Sequence, residues 1–267
     1  MMTNKTPLVS VVMSCYNSEK FIADAIKTVA NQTYRNWELI IVNDFSTDNS
    51  IKIVKKSIER FGISKKVKII NHDKNCGCGT SLNDAIANSS GELVAVLDSD
   101  DALASKESIR IMVDVHLDHP EASLVYSNYW ECNPGLKKIK MFKTRQILDH
   151  ETYLGTKIRI SHFKVFKRSF YDKTPGVNRN LRQTVDKDLV LKLEEVGKLI
   201  HVDQELYLYR QRRDNLTKSV GKKNKEYRTF VKIMRYKVYN EARIRRGLRL
   251  KNVEEITEWE KNNPSFG

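Results

Sequence analysis

The 267-residue chain is short of cysteine, proline and glycine, with 4, 5 and 11 of them. Cys15, Cys76, Cys78 and Cys132 make no secretory disulfide framework. Cys76 and Cys78 form a CxC pair with no second cluster of metal ligands nearby, which argues against zinc. A reduced, cytoplasmic location is therefore expected. So little Pro and Gly beside 40% hydrophobic residues excludes a disordered or low-complexity chain. No apolar run approaches the ~20 residues of a membrane helix. "PLVSVVMSCYN" near the start is too short for a signal peptide and lacks the cleavage pattern. Missing too are the G-x-G-x-x-G and G-x-x-x-x-G-K-[ST] loops, so any bound phosphate must be held without a glycine cradle.

Acidic residues are also scarce, 33 against 47 Lys and Arg, for a net charge of +14. The excess is local. Residues 222–251 hold twelve Lys/Arg against Glu226 and Glu241, which is ten of the fourteen net charges. The body is thus mildly basic. The tail suits three uses: a helix packed on the body with a solvated cationic face, a contact with an anionic membrane, or a hold on a polyanion.

Strand and helix patterns alternate over the first hundred residues. "LVSVVMSCYN", "WELIIVND", "KVKIINHD" and "LVAVLDSDD" read as buried strands. Between them "SEKFIADAIKTVANQ" is a helix with Ser18 as its N-cap, and "STDNSIKIVKKSIERFG" one entered from Ser46 or Asp48 and closed near Gly62. "GTSLNDAIANSSG" is a third. This rhythm predicts an α/β fold, Rossmann-like, with a mostly parallel sheet and helices on both faces. Further on, "KESIRIMVDVHLDHP" and "TVDKDLVLKLEEVG" read as helices, and "ASLVYSNYW", "ISHFKVFKRS" and "LIHVDQELYLYR" as strands. A basic amphipathic helix starts near Glu226, its apolar stripe running through Tyr227, Phe230, Val231, Met234, Val238 and Ala242.

Open parallel sheets bind ligands beyond the carboxyl ends of their strands. Four strands here end in polar groups: Ser14, Tyr16 and Asn17; Asn43 and Asp44; His72 to Asn75; Asp98 to Asp101. The last set places three like charges behind the greasiest strand, which is costly unless a metal, a basic side chain or solvent relieves them. In an extended stretch Asp98 and Asp100 point to one side. Mg²⁺ or Mn²⁺ takes one or two such carboxylates together with phosphate oxygens and water. Tyr16 offers a ring to a base, and Asp44 an acceptor for a base N–H. These pieces match a metal-bridged nucleotide diphosphate.

"VSVVMSCYN", "WELIIVNDFSTDNS", "NCGCGTSLNDAI" and "GELVAVLDSDD", in this order and spacing, resemble the family 2 glycosyltransferases of GT-A fold. "VYSNYWECNPG", "SHFKVFKRS", "TVDKDLVLKLEEVGKLIHVD" and "DNLTKS" look like the glucuronic-acid-transferring half of bacterial hyaluronan and chondroitin synthases. The resemblance implies a GT-A domain over residues 1–220 and a basic helical extension over 221–267. It implies that Ser14, Tyr16 and Asp44 hold uracil, and that Gly77 and Gly79 let the backbone approach the nucleotide. Asp98 lies by ribose and metal, Asp100 is the main ligand of Mn²⁺ or Mg²⁺, and Asp186 is the catalytic base. His162, Trp130 and Lys164 are candidate contacts to acceptor or donor sugar.

Two departures stand out. Val185 replaces the Glu that often precedes the base, as it does in that synthase half. Arg212 replaces a histidine suited to metal or diphosphate; arginine cannot ligate a cation but can pair with the diphosphate itself. The expected activity is inverting, metal-dependent transfer from a UDP-sugar, glucuronic acid or another hexose, to a saccharide or glycolipid acceptor in cell-surface polysaccharide or glycoconjugate assembly. The expected location is cytoplasmic, with peripheral contact at the inner membrane face through the basic helix. The competing readings are a homologue that binds nucleotide without turnover, and a basic nucleic-acid-binding protein. Nucleic acid is not expected as a partner, since it requires no buried Asp-x-Asp.

Overall fold

In strand β1 (Val9–Cys15), apolar side chains point both ways, so both faces need cover. The computed structural model, which describes residues 6–212 and 225–262 (side chains 259 and 260 apart), supplies it from two sides. Val9, Val11 and Met13 pack with Ile22, Ile26 and Val29 of helix α1 (Ile22–Ala30) and Val54 of α2 (Ser50–Phe61). Val12 turns the other way, against Leu82, Ala85 and Ile86 of α3 (Cys78–Ala87). Strand β2 (Trp37–Asn43) repeats the split, Leu39 and Ile41 against Ile40 and Val42. Helices therefore cover both faces.

The other strands are β3 (Val67–Asn71), β4 (Leu93–Val96), β5 (Ala102–Leu103), β6 (Ala122–Cys132), β7 (Lys138–Phe142), β8 (Lys164–Lys167) and β9 (Lys198–Arg210). They join in one sheet of order β3-β2-β1-β4-β8-β6-β9-β5, with β7 on β6. β1 to β4 are parallel; β8 runs against both β4 and β6, and β9 runs with β6. β5 and β7 run against their neighbours β9 and β6. Six strands thus share one direction and three oppose it. The chain builds outward from β1 to β3, then crosses to β4 on the other side of β1. That reversal opens a crevice at the carboxyl ends of β1 and β4, the place where such sheets take ligands.

Ser18 does not cap α1. The helix begins at Ile22, whose N–H donates to the Ser18 carbonyl (3.0 Å), while the Ser18 hydroxyl pairs with that of Ser99 (2.7 Å). α2 opens at Ser50, one turn later than Ser46, with Asp48 accepting the Ser50 N–H (2.9 Å). It closes at Gly62, whose φ of 63° is the left-handed cap that glycine adopts without strain.

Helices α4 (Ser108–Asp118), α5 (Arg168–Tyr171) and α6 (Val185–Glu194) complete the body. The basic helix α7 (Lys225–Arg245) packs on α6, burying Val238 and Ala242 in the core of the α3 face. Arg245 pairs with Glu195 (2.7 Å) and Arg246 with Glu194 (2.8 Å), so part of the tail's charge is spent on the body. α8 (Val253–Asn262) follows. The 220/221 boundary, "DNLTKS" and Lys222–Lys223 lie outside the described residues. Among the described residues, no helix is long and apolar enough to cross a membrane.

Buried His116 on α4 ties that helix to β8, its Nε2–H donating to the Val165 carbonyl (3.0 Å). Burial pushes its imidazole down to about 3. The unfolded chain takes up this proton from near pH 6.5, so between those values it binds more protons than the folded state. Stability is expected to drop as pH falls through that window, by about 2 kcal/mol at about pH 5 from this group, at roughly 1.4 kcal/mol per unit. Urea unfolding at pH 7 and 5 measures it, and His116→Gln should flatten the difference.

Candidate functional site

Parallel register brings the strand ends together: Cys15 lies beside Asn43, and Asn43 beside Asn71. The loops that follow are laced to each other. Asn17 donates its N–H to the Ser46 hydroxyl (3.1 Å) and accepts that of Thr47 on Oδ1 (2.9 Å). Tyr16 stays 52% exposed, its ring open to stacking, and Ser14 is half-buried on β1. Asp44 is buried and accepts the N–H groups of Cys76 (2.7 Å) and Gly77 (2.8 Å) while pairing with His72 Nδ1 (2.9 Å). Its carboxylate therefore first fixes the loop that enters α3. Cys76 also approaches Asp44 and His72, yet Asp44 has already given its oxygens to these donors.

The two glycines serve the chain's own packing. Gly77 needs its φ of 87° to present its amide to Asp44. At Gly79 a Cβ would come 2.5 Å from the Leu181 carbonyl and 2.6 Å from that of Asn178. The close approach expected toward a nucleotide is thus, at Gly79, an approach to the 178–182 loop, whose Leu181 carbonyl accepts the Gly79 N–H (3.0 Å).

The acids of "LDSDD" have separate surroundings. Asp101 is buried and accepts the Tyr207 hydroxyl (2.9 Å) and the Arg210 N–H (2.7 Å), so it clamps the turn to β9. Burial, then Asp100 and Asp98, hold its pKa well above the carboxylate range. Asp100 pairs with the Arg212 guanidinium (3.1 Å). That guanidinium lies over the Phe21 ring (5.1 Å), as does Arg210 (4.7 Å). Asp98 faces the open cleft, and among the described residues no hydrogen bond reaches its carboxylate. Enclosure by protein, then the charges of Asp186 and Asp100, push it up to about 7 against the pull of Lys164 and Arg212.

Across the cleft, Asp186 stands in the first turn of α6 with its side chain 49% exposed, and buried Lys164 reaches it at 3.3 Å. Enclosure alone would raise the Asp186 carboxyl; the charge and hydrogen bond of Lys164 outweigh that and hold it below its usual range, ionised at neutral pH. Cys78 feels both Asp186 and Asp98; burial and those charges push its thiol up to about 11, so it is no thiolate nucleophile.

His162 and Trp130 differ from what their sequence positions suggest. The His162 ring is stacked on Tyr207 (4.5 Å) and Tyr209 (5.1 Å), with Tyr129 at its edge (5.5 Å), so it offers no open face to a saccharide. Burial and Lys164 lower it to about 3, which keeps it neutral. Its nitrogen still lies within 4.8 Å of ligand atoms of Asp98 and Asp101. Trp130 alternates with Tyr129 along β6 and so faces away from His162, with the Lys138 ammonium over its ring (4.9 Å). Lys164 is committed to Asp186 and the Ser161 carbonyl.

Several contributors escaped sequence reasoning: Phe21 beneath the two arginines, and Tyr207 and Arg210 behind Asp101. Their partners lie far off along the chain, 106 residues for Tyr207, and leave no local pattern.

The cleft gathers Asp98, Asp100 and Asp186 with Lys164 and Arg212 at a sheet switch point, and the chain is similar to known proteins. A model of glycosyl transferase family 2 matches residues 10–174. The hyaluronan synthase of Pasteurella multocida is 28% identical over 254 residues, 95% of this chain and 25% of that protein. The chondroitin synthase of Escherichia coli is 29% identical over 203 residues, 76% of this chain and 29% of that protein. The chain thus spans under a third of the length of these relatives. TarS of S. aureus, solved in complex with UDP, shares the fold with a TM-score of 0.68 at 19% identity, over 97% of this chain and 72% of that one. The mannosyltransferase PcManGT of Pyrobaculum calidifontis, solved with GDP-Man and Mn²⁺, has a TM-score of 0.65 at 14% identity, over 98% and 70%.

Proposed function

The chain belongs to glycosyl transferase family 2, and from that premise we propose that it transfers a hexose, glucuronic acid or another, from a UDP-sugar to a saccharide or glycolipid acceptor, with inversion. The acceptor hydroxyl gives its proton to Asp186 as its oxygen attacks the anomeric carbon opposite the nucleotide. The new C–O bond forms while the bond to the diphosphate oxygen breaks, and UDP leaves with that electron pair. The observation that carries this reading is the opposition of two cation–carboxylate pairs, Lys164–Asp186 (3.3 Å) and Arg212–Asp100 (3.1 Å), across Asp98. The first keeps a base ionised; the second brings a planar donor to where charge develops on the leaving group.

The donor set fits a divalent cation. At Asp98 the pull of Lys164 and Arg212 does not offset burial and the charges of Asp186 and Asp100, and its carboxylate has no hydrogen-bond donor among the described residues. Asp98 and Asp100 are the residues to hold Mn²⁺ or Mg²⁺, which would neutralise diphosphate charge as the bond breaks. Tyr16 stacks the uracil, and Ser14 and Asp44 lie at its edge. The relatives' names favour polysaccharide assembly as the setting. The Lys and Arg side chains of α7 suit peripheral contact with an anionic membrane.

Release of UDP from a panel of UDP-sugars with Mn²⁺ tests the reading. Turnover of at least one donor, lost in Asp100→Ala, is expected; equal rates in that variant contradict it. A second reading, nucleotide binding without turnover, rests on Arg212 closing on Asp100 where the synthases carry histidine. Binding of UDP with no release from any donor would favour that second reading.

A further inference from the structure

Beside the catalytic cleft lies a groove of about 430 Å³ formed by residues 142–145 and 157–159. Four cations border it and no acid does. Arg145 is held by both oxygens of Glu151 (2.6 and 2.7 Å). Lys143, Lys157 and Arg159 are exposed and have no carboxylate partner among the described residues. Phe142 and Ile158 supply apolar surface, with the Arg159 guanidinium 5.0 Å over the Phe142 ring. The Thr144 hydroxyl is buried there without a hydrogen-bond partner.

A chain of three rings, Phe142, Tyr129 and His162, leads from the groove toward the cleft. Phe142 stacks on Tyr129 (4.8 Å), Tyr129 meets His162 edge-on (5.5 Å), and a His162 nitrogen is within 4.8 Å of Asp98. On the far side Lys187, adjacent to Asp186, is lowered by burial and by the like charges of Arg235 and Arg159. Cations crowded together without acids repel one another in the free protein, and an anion laid among them relieves that repulsion.

We propose that this groove seats the acceptor and that the acceptor is an anionic glycan, with its carboxylates or phosphates on Lys143, Lys157 and Arg159 and its sugar rings against Phe142 and Ile158. The proposal rests on the transferase reading above and names the substrate class of the same site. Neutral sugars alone do not call for three unpaired cations. Guanidinium and ammonium groups spaced along a groove match an acidic chain through charge-assisted hydrogen bonds.

The test is titration of the full chain with three probes: a hexamer of galacturonic acid, a glycerol-phosphate hexamer and neutral maltohexaose. At least one acidic oligomer should bind more tightly than maltohexaose, with affinity falling as salt rises. Which acidic oligomer is held tells carboxylate from phosphate. The triple variant K143Q/K157Q/R159Q should bind that oligomer roughly tenfold or more weakly, a loss of about 1.4 kcal/mol, at the wild-type melting temperature. K143R/K157R/R159K should retain it. Equal binding of acidic and neutral oligomers, or unchanged affinity in the triple variant, overturns the proposal. UDP release to water by the wild-type chain separates the two layers. Release without acidic-oligomer binding sinks the groove alone, whereas no release and no UDP binding sinks the transferase reading.

Discussion

Asp186→Asn should lower the rate of transfer roughly 10³-fold, within the range for loss of a general base, while UDP still binds. Asparagine keeps the size and position of the side chain but accepts no proton. Asp186 is suited to the role because two opposed effects meet on it. Enclosure in the cleft would raise its pKa, and Lys164 at 3.3 Å reverses that, so the carboxylate is ionised when the acceptor arrives. Its side chain is half exposed, which leaves it reachable by a hydroxyl. Steady-state kinetics with UDP detection, beside calorimetric UDP binding, measures both halves of the expectation. Comparable losses in UDP affinity and in turnover would assign Asp186 to nucleotide binding instead.

Lys164→Met is expected to have the second largest effect, roughly tenfold to hundredfold in turnover at neutral pH. Without the ammonium, enclosure governs and the Asp186 pKa rises. A base must be ionised to work, so the acid limb of the pH–rate profile moves to higher pH. Asp98 loses a nearby cation too, which moves its carboxyl in the same direction. Lys164→Arg, which keeps the charge, should leave the acid limb near its wild-type position. A fall in rate with an unmoved acid limb would mean that Lys164 acts through packing rather than charge.

The parallel half of the sheet was legible because apolar residues on both sides of short strands leave few other architectures. The crowding of acids behind β4 was legible for the same reason: the strand dictates where its carboxyl end points. Asp186 and Arg212 are far along the chain from Asp98 and Asp100, and the fold brings all four around one cleft. What could not be read was set by distant partners. The reversal of β8 depends on pairing with both β4 and β6. The partners of Asp101, Tyr207 and Arg210, come from β9, more than a hundred residues on. Ser18 has the residue type of an N-cap, but Ser99, 81 residues away, takes its hydroxyl. Gly79 is explained by three carbonyls of the 178–182 loop, which no local pattern reveals. Of the three ways to relieve the acids of "LDSDD", the structure displays the basic side chain, Arg212 on Asp100, and leaves Asp98 in want of a further positive charge.

A crystal structure of the chain soaked with UDP and Mn²⁺ tests the central claim most directly. Uracil is expected against Tyr16, the diphosphate between Arg212 and the Asp98–Asp100 pair, and Asp186 facing the β-phosphate across a gap that a sugar fills. UDP bound elsewhere, or bound there with Asp186 turned away from the β-phosphate, would contradict it.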